Sequence, residues 1–290
     1  MNEVAAEGMV RLTAANIGMD LCTDGAIFKN NDKLAFSAER IKVQQAFFFR
    51  PKETEGILDL AHASVGKFTD NKNSWPKSNV LYLDGFEYDA FAGDDTPKAA
   101  KERLEWLRLQ TREPFRTQPY EQLAKVFKQM GLEKDRKKVL IAKNDDLLKY
   151  GKLSCWAKIW NGLLGMLVGY GYSPWRILLC ALFFISLGSR VFFIGYERGF
   201  MQPSDSRIYM NIKFEQTRIP PETYPKFSAV MYSIDAFVPF LNLYQKAYWL
   251  PDASRGSDAQ WVRDYLWLHI AAGWFFSTIL VAGISRVLRE

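Results

Sequence analysis

Two rhythms of apolar residues divide this chain of 290 residues. Over the first ninety positions apolar side chains alternate with polar ones in short runs broken by Gly or Asn, the pattern of half-buried strands. The runs repeat: "EGMVRLTAANIGMDL" at Glu7 returns as "EGILDLAHASVGKFT" at Glu55, aligning Leu12 with Leu60, Ala15 with Ala63, Ile17 with Val65 and Gly18 with Gly66. Between them "LAFSAERIKVQQAF" sets Phe36 and Ile41 at the same phase, so the period is about 24 residues. Such a period, with small residues such as Ala facing inward, predicts a short β-solenoid over residues 1–95, each coil burying its apolar edge against its neighbours. An ordinary small β-domain is the alternative, and the repeated "EG…L..A.(I/V)G" argues against it. A solenoid needs its ends covered, and no polar cap precedes Glu7. The first coil is therefore expected to offer an open strand edge to a protein partner or a second subunit, or to continue a longer solenoid.

From Thr96 the period becomes helical. Thr96 reads as an N-cap before Pro97 and opens "PKAAKERLEWLRLQ", with Leu104, Trp106 and Leu107 at helical spacing. "PYEQLAKVFKQMG", ended by Gly131, and "EKDRKKVLIAKNDDLLKYG" follow as an antiparallel pair, giving a cytoplasmic helical-hairpin linker over 96–158. Its charged face suits either an acidic ligand or solvent beside anionic headgroups.

Residues 159–290 carry the apolar weight. Ile177 to Gly195 is interrupted only by Arg190, and Leu266 to Ser285 holds only His269 as a titratable group. Roughly 20 apolar residues at about 1.5 Å each match a hydrocarbon core about 30 Å thick, so 177–195 and 266–285 are expected to span a bilayer. Two buried helices of a soluble domain are the alternative, which the apolar residues on every face and the framing Trp, Tyr and Arg oppose. Lys143, Lys149, Lys152, Lys158 and Arg176 precede the first span and Arg286 and Arg289 follow the second, which places both termini in the cytoplasm. Met1 to Ala15 has neither the basic start nor the apolar run of a signal peptide. "CWAKIWNGLLGML", with Trp156 and Trp160 at headgroup level, leads into an interfacial helix over 159–172. Between the spans, 227–250 reads as a re-entrant or interfacial segment marked by Phe227, Tyr232, Pro239 and Asn242, its apolar run too short to cross and limited at Pro239. The fold class is thus mixed: β-solenoid, α-helical hairpin, and an α-helical membrane domain.

Composition changes this picture little. A mean hydropathy of −0.17 resembles that of a soluble protein only because the apolar residues lie in the last half of the chain. The net charge of +6 is a weak sign of anionic partners. Cys22, Cys155 and Cys180 are far apart and read as reduced thiols. The nearest approach to a dinucleotide-binding GxGxxG is Gly169-Tyr170-Gly171, with Pro174 where the third glycine belongs, and no GxSxG elbow exists. His62 and His269 have no ligand spacing to other Cys, Asp or Glu, so no enzyme, cofactor, metal or nucleic-acid partner is expected.

"VGYG" at Val168 spells part of a potassium-channel filter, but it precedes the first span. Gly169 and Gly171 read instead as the bend where an interfacial helix turns into the membrane, with Pro174, Trp175 and Arg176 at the start of the span. That stretch, "GYGYSPWRILLCALFFISLGSRVFF", together with "FSAVMYSIDAFVPFLNLYQKAYWLP" from Phe227 and "YLWLHIAAGWFFSTILVAGISRVLR" from Tyr265, resembles bacterial proteins that join pentapeptide-like or β-helical repeats to a two-span, channel-like tail. The resemblance covers the chain from about Gly8. It implies a multi-pass inner-membrane protein forming a homo-oligomer, a tetramer if channel-like, with the solenoid as its sensing, gating or docking part. Some such relatives carry oxidoreductase labels, which the residues above do not support. A filter would follow the short apolar run, yet "AFVPFLNLYQ" has no glycine there to aim successive carbonyls at an axis. Asp235, Arg190 and His269 are the candidate ion-path residues, since charges in the apolar zone tend to face water or protein. Asp235 suits a ring of carboxylates selecting cations or an ion pair with Arg190; the structural alternative has Arg190 and His269 snorkelling to opposite interfaces and Asp235 capping the re-entrant turn. The alternative function is a non-conducting membrane-anchored scaffold recruiting proteins through the solenoid.

Overall fold

The computed structural model describes residues 4–77, 79–173, 175–209 and 220–289, which divide into two compact units, Met1–Gly162 and Leu163–Glu290.

The first unit begins with a β-solenoid of four coils. One parallel sheet holds β1 (Ala5–Glu7), β2 (Val10–Arg11), β5 (Ile27–Ser37), β7 (Glu53–Asp59) and β9 (Leu81–Tyr82). The other holds β3 (Asn16–Ile17), β4 (Leu21–Cys22), β6 (Lys42–Phe49), β8 (Ser64–Asp70) and β10 (Glu87–Phe91). Val10, Phe36, Leu58 and Leu81 stand in register, as do Ile17, Val43, Val65 and Tyr88. The coils are therefore of unequal length around the expected average, and each has two long faces rather than a series of five-residue steps. Inside them the rings of Phe36, Phe47, Phe68, Phe86 and Tyr88 form a continuous aromatic stack.

The unequal coils account for the two glycines of the third coil, Gly56 and Gly66, but not for their partners Gly8 and Gly18 in the first. The second coil bulges in both strands, between Lys29 and Leu34 and between Val43 and Ala46. Those bulges press on Gly56 and Gly66 of the third coil: a Cβ at Gly56 would lie 2.6 Å from the Lys33 carbonyl oxygen, and one at Gly66 2.5 Å from that of Gln45. Gly18, aligned with Gly66 in the repeat, has open space instead. Gly66→Ala should cost about 1–3 kcal/mol of overpacking, while Gly18→Ala should leave denaturant unfolding of the solenoid nearly unchanged.

Helices close the far end of the solenoid. α1 (Ala100–Leu107) follows β10 and lays Trp106 on Phe68, with ring centroids 5.8 Å apart. Thr96 does not cap it. The helix starts at Ala100 because the Thr96 hydroxyl is turned back to the carbonyls of Asp70 and Ala92. α2 (Gln118–Gln129) and α3 (Glu133–Tyr150) form the expected hairpin. From α2, the Gln118 side chain accepts the Gly85 N–H at 2.9 Å and Gln122 donates to the Tyr88 carbonyl at 2.6 Å. Two glutamines one helical turn apart thus satisfy groups that a further coil would have paired. At the other end, among the described residues, β1–β4 pair on one side only.

α4 (Cys155–Val168) presents Trp156, Ile159, Trp160, Leu163 and Met166 as an exposed apolar stripe. It starts four residues before the predicted interfacial helix and stops at Val168, because Gly169, Tyr170 and Gly171 all take positive φ, 54°, 57° and 91°. No right-handed helix continues through three left-handed residues. The bend assigned to these glycines is present, while Pro174 lies outside the described residues.

Candidate functional site

The second unit is built on α5 (Trp175–Glu197) and α7 (Ser257–Arg289), both long and apolar enough to cross a membrane. Trp175 and Arg176 open α5 as expected. The second helix is longer than its predicted span: the stretch apolar enough to cross runs Ala259–Ala282, and polar residues that a hydropathy reading leaves out continue the same helix. Only 17% of the apolar window of α5 and 28% of that of α7 is buried. A core helix of a soluble domain is mostly covered; here Leu178, Leu182, Phe183, Trp267, Leu268 and Trp274 are exposed.

Between these helices the connector folds back on itself. Phe227 stacks on Tyr196, at the end of α5, with centroids 4.6 Å apart. α6 (Ala229–Phe237), capped by the Ser228 hydroxyl, then runs inward. Phe237 at its other end meets Phe184 and Phe276 at 6.2 and 5.9 Å, near the middle of both long helices. The helix stops there because Val238 precedes Pro239 and takes extended angles, φ −94° and ψ 105°. The chain returns through Phe240, Leu241, Asn242 and Leu243 and comes back to Tyr196 at Trp249, whose ring lies 5.5 Å away. Trp249 donates to the Pro225 carbonyl at 3.0 Å, and Met201–Pro203 pairs antiparallel with Trp249–Pro251 to close this end.

Asp235 is fully buried. Its carboxylate accepts the backbone N–H groups of Leu243 and Lys246, both at 2.9 Å, and Lys246 Nζ donates to the Asp235 carbonyl at 3.1 Å. It therefore holds the return segment, as the capping alternative required. Its carboxylate faces backbone N–H groups, and no ion pair joins it to Arg190, which is exposed on α5. His269 does not snorkel: it is 1% exposed. Ser233 Oγ donates to the Ile185 carbonyl at 2.8 Å, so both Ser233 oxygens are acceptors for His269 Nε2, at 3.1 and 3.2 Å. The proton is accordingly assigned to Nε2, leaving Nδ1 to accept from the Tyr265 hydroxyl at 3.4 Å. One polar chain thus ties α5, α6 and α7 together. Tyr232, predicted within this segment, packs on Phe192 at 4.7 Å, and Asn242 accepts the Tyr244 N–H at 3.1 Å.

Sequence reasoning missed Ser233, Gly188 and Gly273. A Cβ at Gly188 would lie 2.5 Å from Ser233 Oγ, and one at Gly273 1.7 Å from the Phe237 carbonyl oxygen. Small residues in apolar helices are the signal that marks such close approach. Outside the two long apolar helices, burial pushes the Asp252 carboxyl up, but hydrogen bonds from Ser254 and Arg255 outweigh it and hold the group below its ordinary range. Among the described residues no three His, Cys, Asp or Glu side chains converge as a metal site. No protein family matches this chain, and neither a characterised protein nor a solved structure is found to be similar to it.

Proposed function

We propose that the chain is an integral membrane protein whose copies assemble around a common axis, with α6 and its return forming a re-entrant segment that lines a water-filled path. One observation carries this reading. The return through residues 240–244 is non-helical and exposed, yet starts at the middle of both apolar helices. Irregular backbone at membrane depth is tolerated only where protein covers it or water wets it. One chain supplies neither, and two spans cannot enclose a pore, so neighbouring copies must complete the structure; four is the number of the channel-like arrangement it resembles. Without glycine in the return, selectivity does not rest on a potassium-type filter. The solenoid, with its single-sided first coil, serves as the sensing or docking part in the cytoplasm of a bacterial cell.

The sequestered Asp235 favours a second reading, a non-conducting scaffold. Mass measurement in mild detergent and planar-bilayer recording separate the two. A pore gives oligomers and current; Asp235→Asn removes one carboxylate acceptor from the return, costing about 1.5–3 kcal/mol, and should alter the unitary current. Oligomers silent in both forms establish the scaffold, and a monomer excludes the pore.

A further inference from the structure

The two ends of the solenoid are finished differently. Helices cover the last coil, while the core stays open at the first. Val10, Leu12 and Ile17 are only half-buried there, although Leu58, Leu60 and Val65, their counterparts in the third coil, are at most 4% exposed. Between Val4 and Gly25 the edge carries neither Lys nor Pro, the residues that commonly guard an unpaired strand. From Ala5 to Thr13 the side chains alternate without a break, exposed at Ala5, Glu7, Met9, Arg11 and Thr13 and half-buried between them. This is a surface prepared to extend a sheet and a core together.

The charges of this coil fit a second copy of itself. Asp20 accepts the Ala46 N–H and Asp24 accepts from Arg50 Nε, both at 2.9 Å, so these two are engaged within the chain. Glu7 and Arg11 are exposed and make no side-chain hydrogen bond or ion pair among the described residues. Glu7 stands in register with Lys29, which is bonded to Glu53 at 2.7 Å, and Arg11 with the neutral Ser37. The two are opposite in sign and four residues apart. A second copy laid antiparallel about Met9 sets each Glu7 against the other copy's Arg11, Met9 against Met9, and Ala6 against Leu12 in the continued core. The same two-fold axis meets the other sheet at Met19, because the turn at Ala14 lies five residues from either methionine, and there it sets Ile17 against Leu21. Met9 and Met19 are 47% and 66% exposed, and beside them Gly8 and Gly18 leave open space where a Cβ would stand.

We propose that two copies of the chain join head to head by antiparallel pairing of their first coils, about Met9 on one sheet and Met19 on the other. The pairing rests on the docking role given to the first coil, and on neither the membrane reading nor conduction. Full-length protein in mild detergent, with Cys22, Cys155 and Cys180 replaced by Ser, tests it through cross-linking by a short bismaleimide. Met9→Cys should give covalent dimers. Ala5→Cys should not, since at about 3.3 Å per residue the two copies of that position lie about 26 Å apart. Arg11→Glu turns two attractive pairs repulsive and should raise the protein concentration for half-maximal Met9→Cys cross-linking about thirtyfold. Glu7→Arg should do the same, whereas mixing the two variants, or reversing both charges in one chain, should restore it. No dimer from Met9→Cys, equal dimer from Ala5→Cys, cross-linking indifferent to Arg11→Glu, or a loss that neither restoration repairs overturns the pairing. Oligomers by mass that lack the Met9→Cys cross-link overturn it too and leave the membrane assembly standing. The cross-link in particles of only two copies supports the pairing and leaves the four-copy assembly without support.

Discussion

Arg103→Ala in the full-length protein should lower the stability of the solenoid by about 3–5 kcal/mol, the cost of stranding one member of a buried ion pair. Arg103 and Asp70 are 0% and 1% exposed, joined by two hydrogen bonds of 2.8 and 2.6 Å. The guanidinium also donates to the Pro97 carbonyl at 2.6 Å and lies 3.8 Å from the centre of the Phe91 ring. Without it, Asp70 keeps the Trp75 indole N–H at 2.8 Å but no countercharge. The measurement is amide hydrogen exchange in β8 and β10, where protection should fall by several hundredfold. Asp70→Asn combined with Arg103→Met should be milder than Arg103→Ala alone, because it leaves no buried charge. By contrast, Lys29→Ala breaks only the exposed pair with Glu53 and should hardly move exchange. If Arg103→Ala behaves like Lys29→Ala, α1 does not close the solenoid.

That closure shows where sequence stops being informative. The coils were legible because each column repeats one local requirement: Leu12, Ala38, Leu60 and Leu83 each accept the backbone N–H three residues on, in the same tight turn. The glycine repeat was legible too, though the bulged second coil that presses on Gly56 and Gly66 was not. Asp70 and Arg103 lie on different elements, and their pairing comes from packing α1 on the last coil, which no periodicity encodes. Gln118 and Gln122 likewise read as ordinary surface residues of α2 until the strand edge they cap is known. In the second unit hydropathy located both long helices and the short one between them, and Pro239 marked the turn. The surroundings of Asp235 and His269 were not legible, since the same burial cost fits an ion path and a structural clamp; that the Asp235 carboxylate accepts the backbone N–H groups of Leu243 and Lys246 is visible only in the fold.

The largest effect in the second unit should come from Gly273→Ala. The added methyl would overlap the Phe237 carbonyl oxygen, a backbone atom that cannot rotate away as a side chain can. α6 must then leave the space between α5 and α7, taking Asp235 and the return segment with it, at a cost of about 4 kcal/mol or more. Gly188→Ala meets side chains instead, Ser233 Oγ at 2.5 Å and His269 Cε1 at 2.6 Å. It should cost about 1–3 kcal/mol by displacing the hydrogen bonds between them. Ala271→Leu, on the exposed face of the same helix, should be nearly neutral. Thermal unfolding in detergent followed by near-ultraviolet circular dichroism reads all three, because the rings of Tyr196 and Trp249 are held in fixed orientations against Phe227, just before α6. If Gly273→Ala melts with Ala271→Leu, α6 does not sit between the two long helices, and the re-entrant segment on which the pore reading depends has no support.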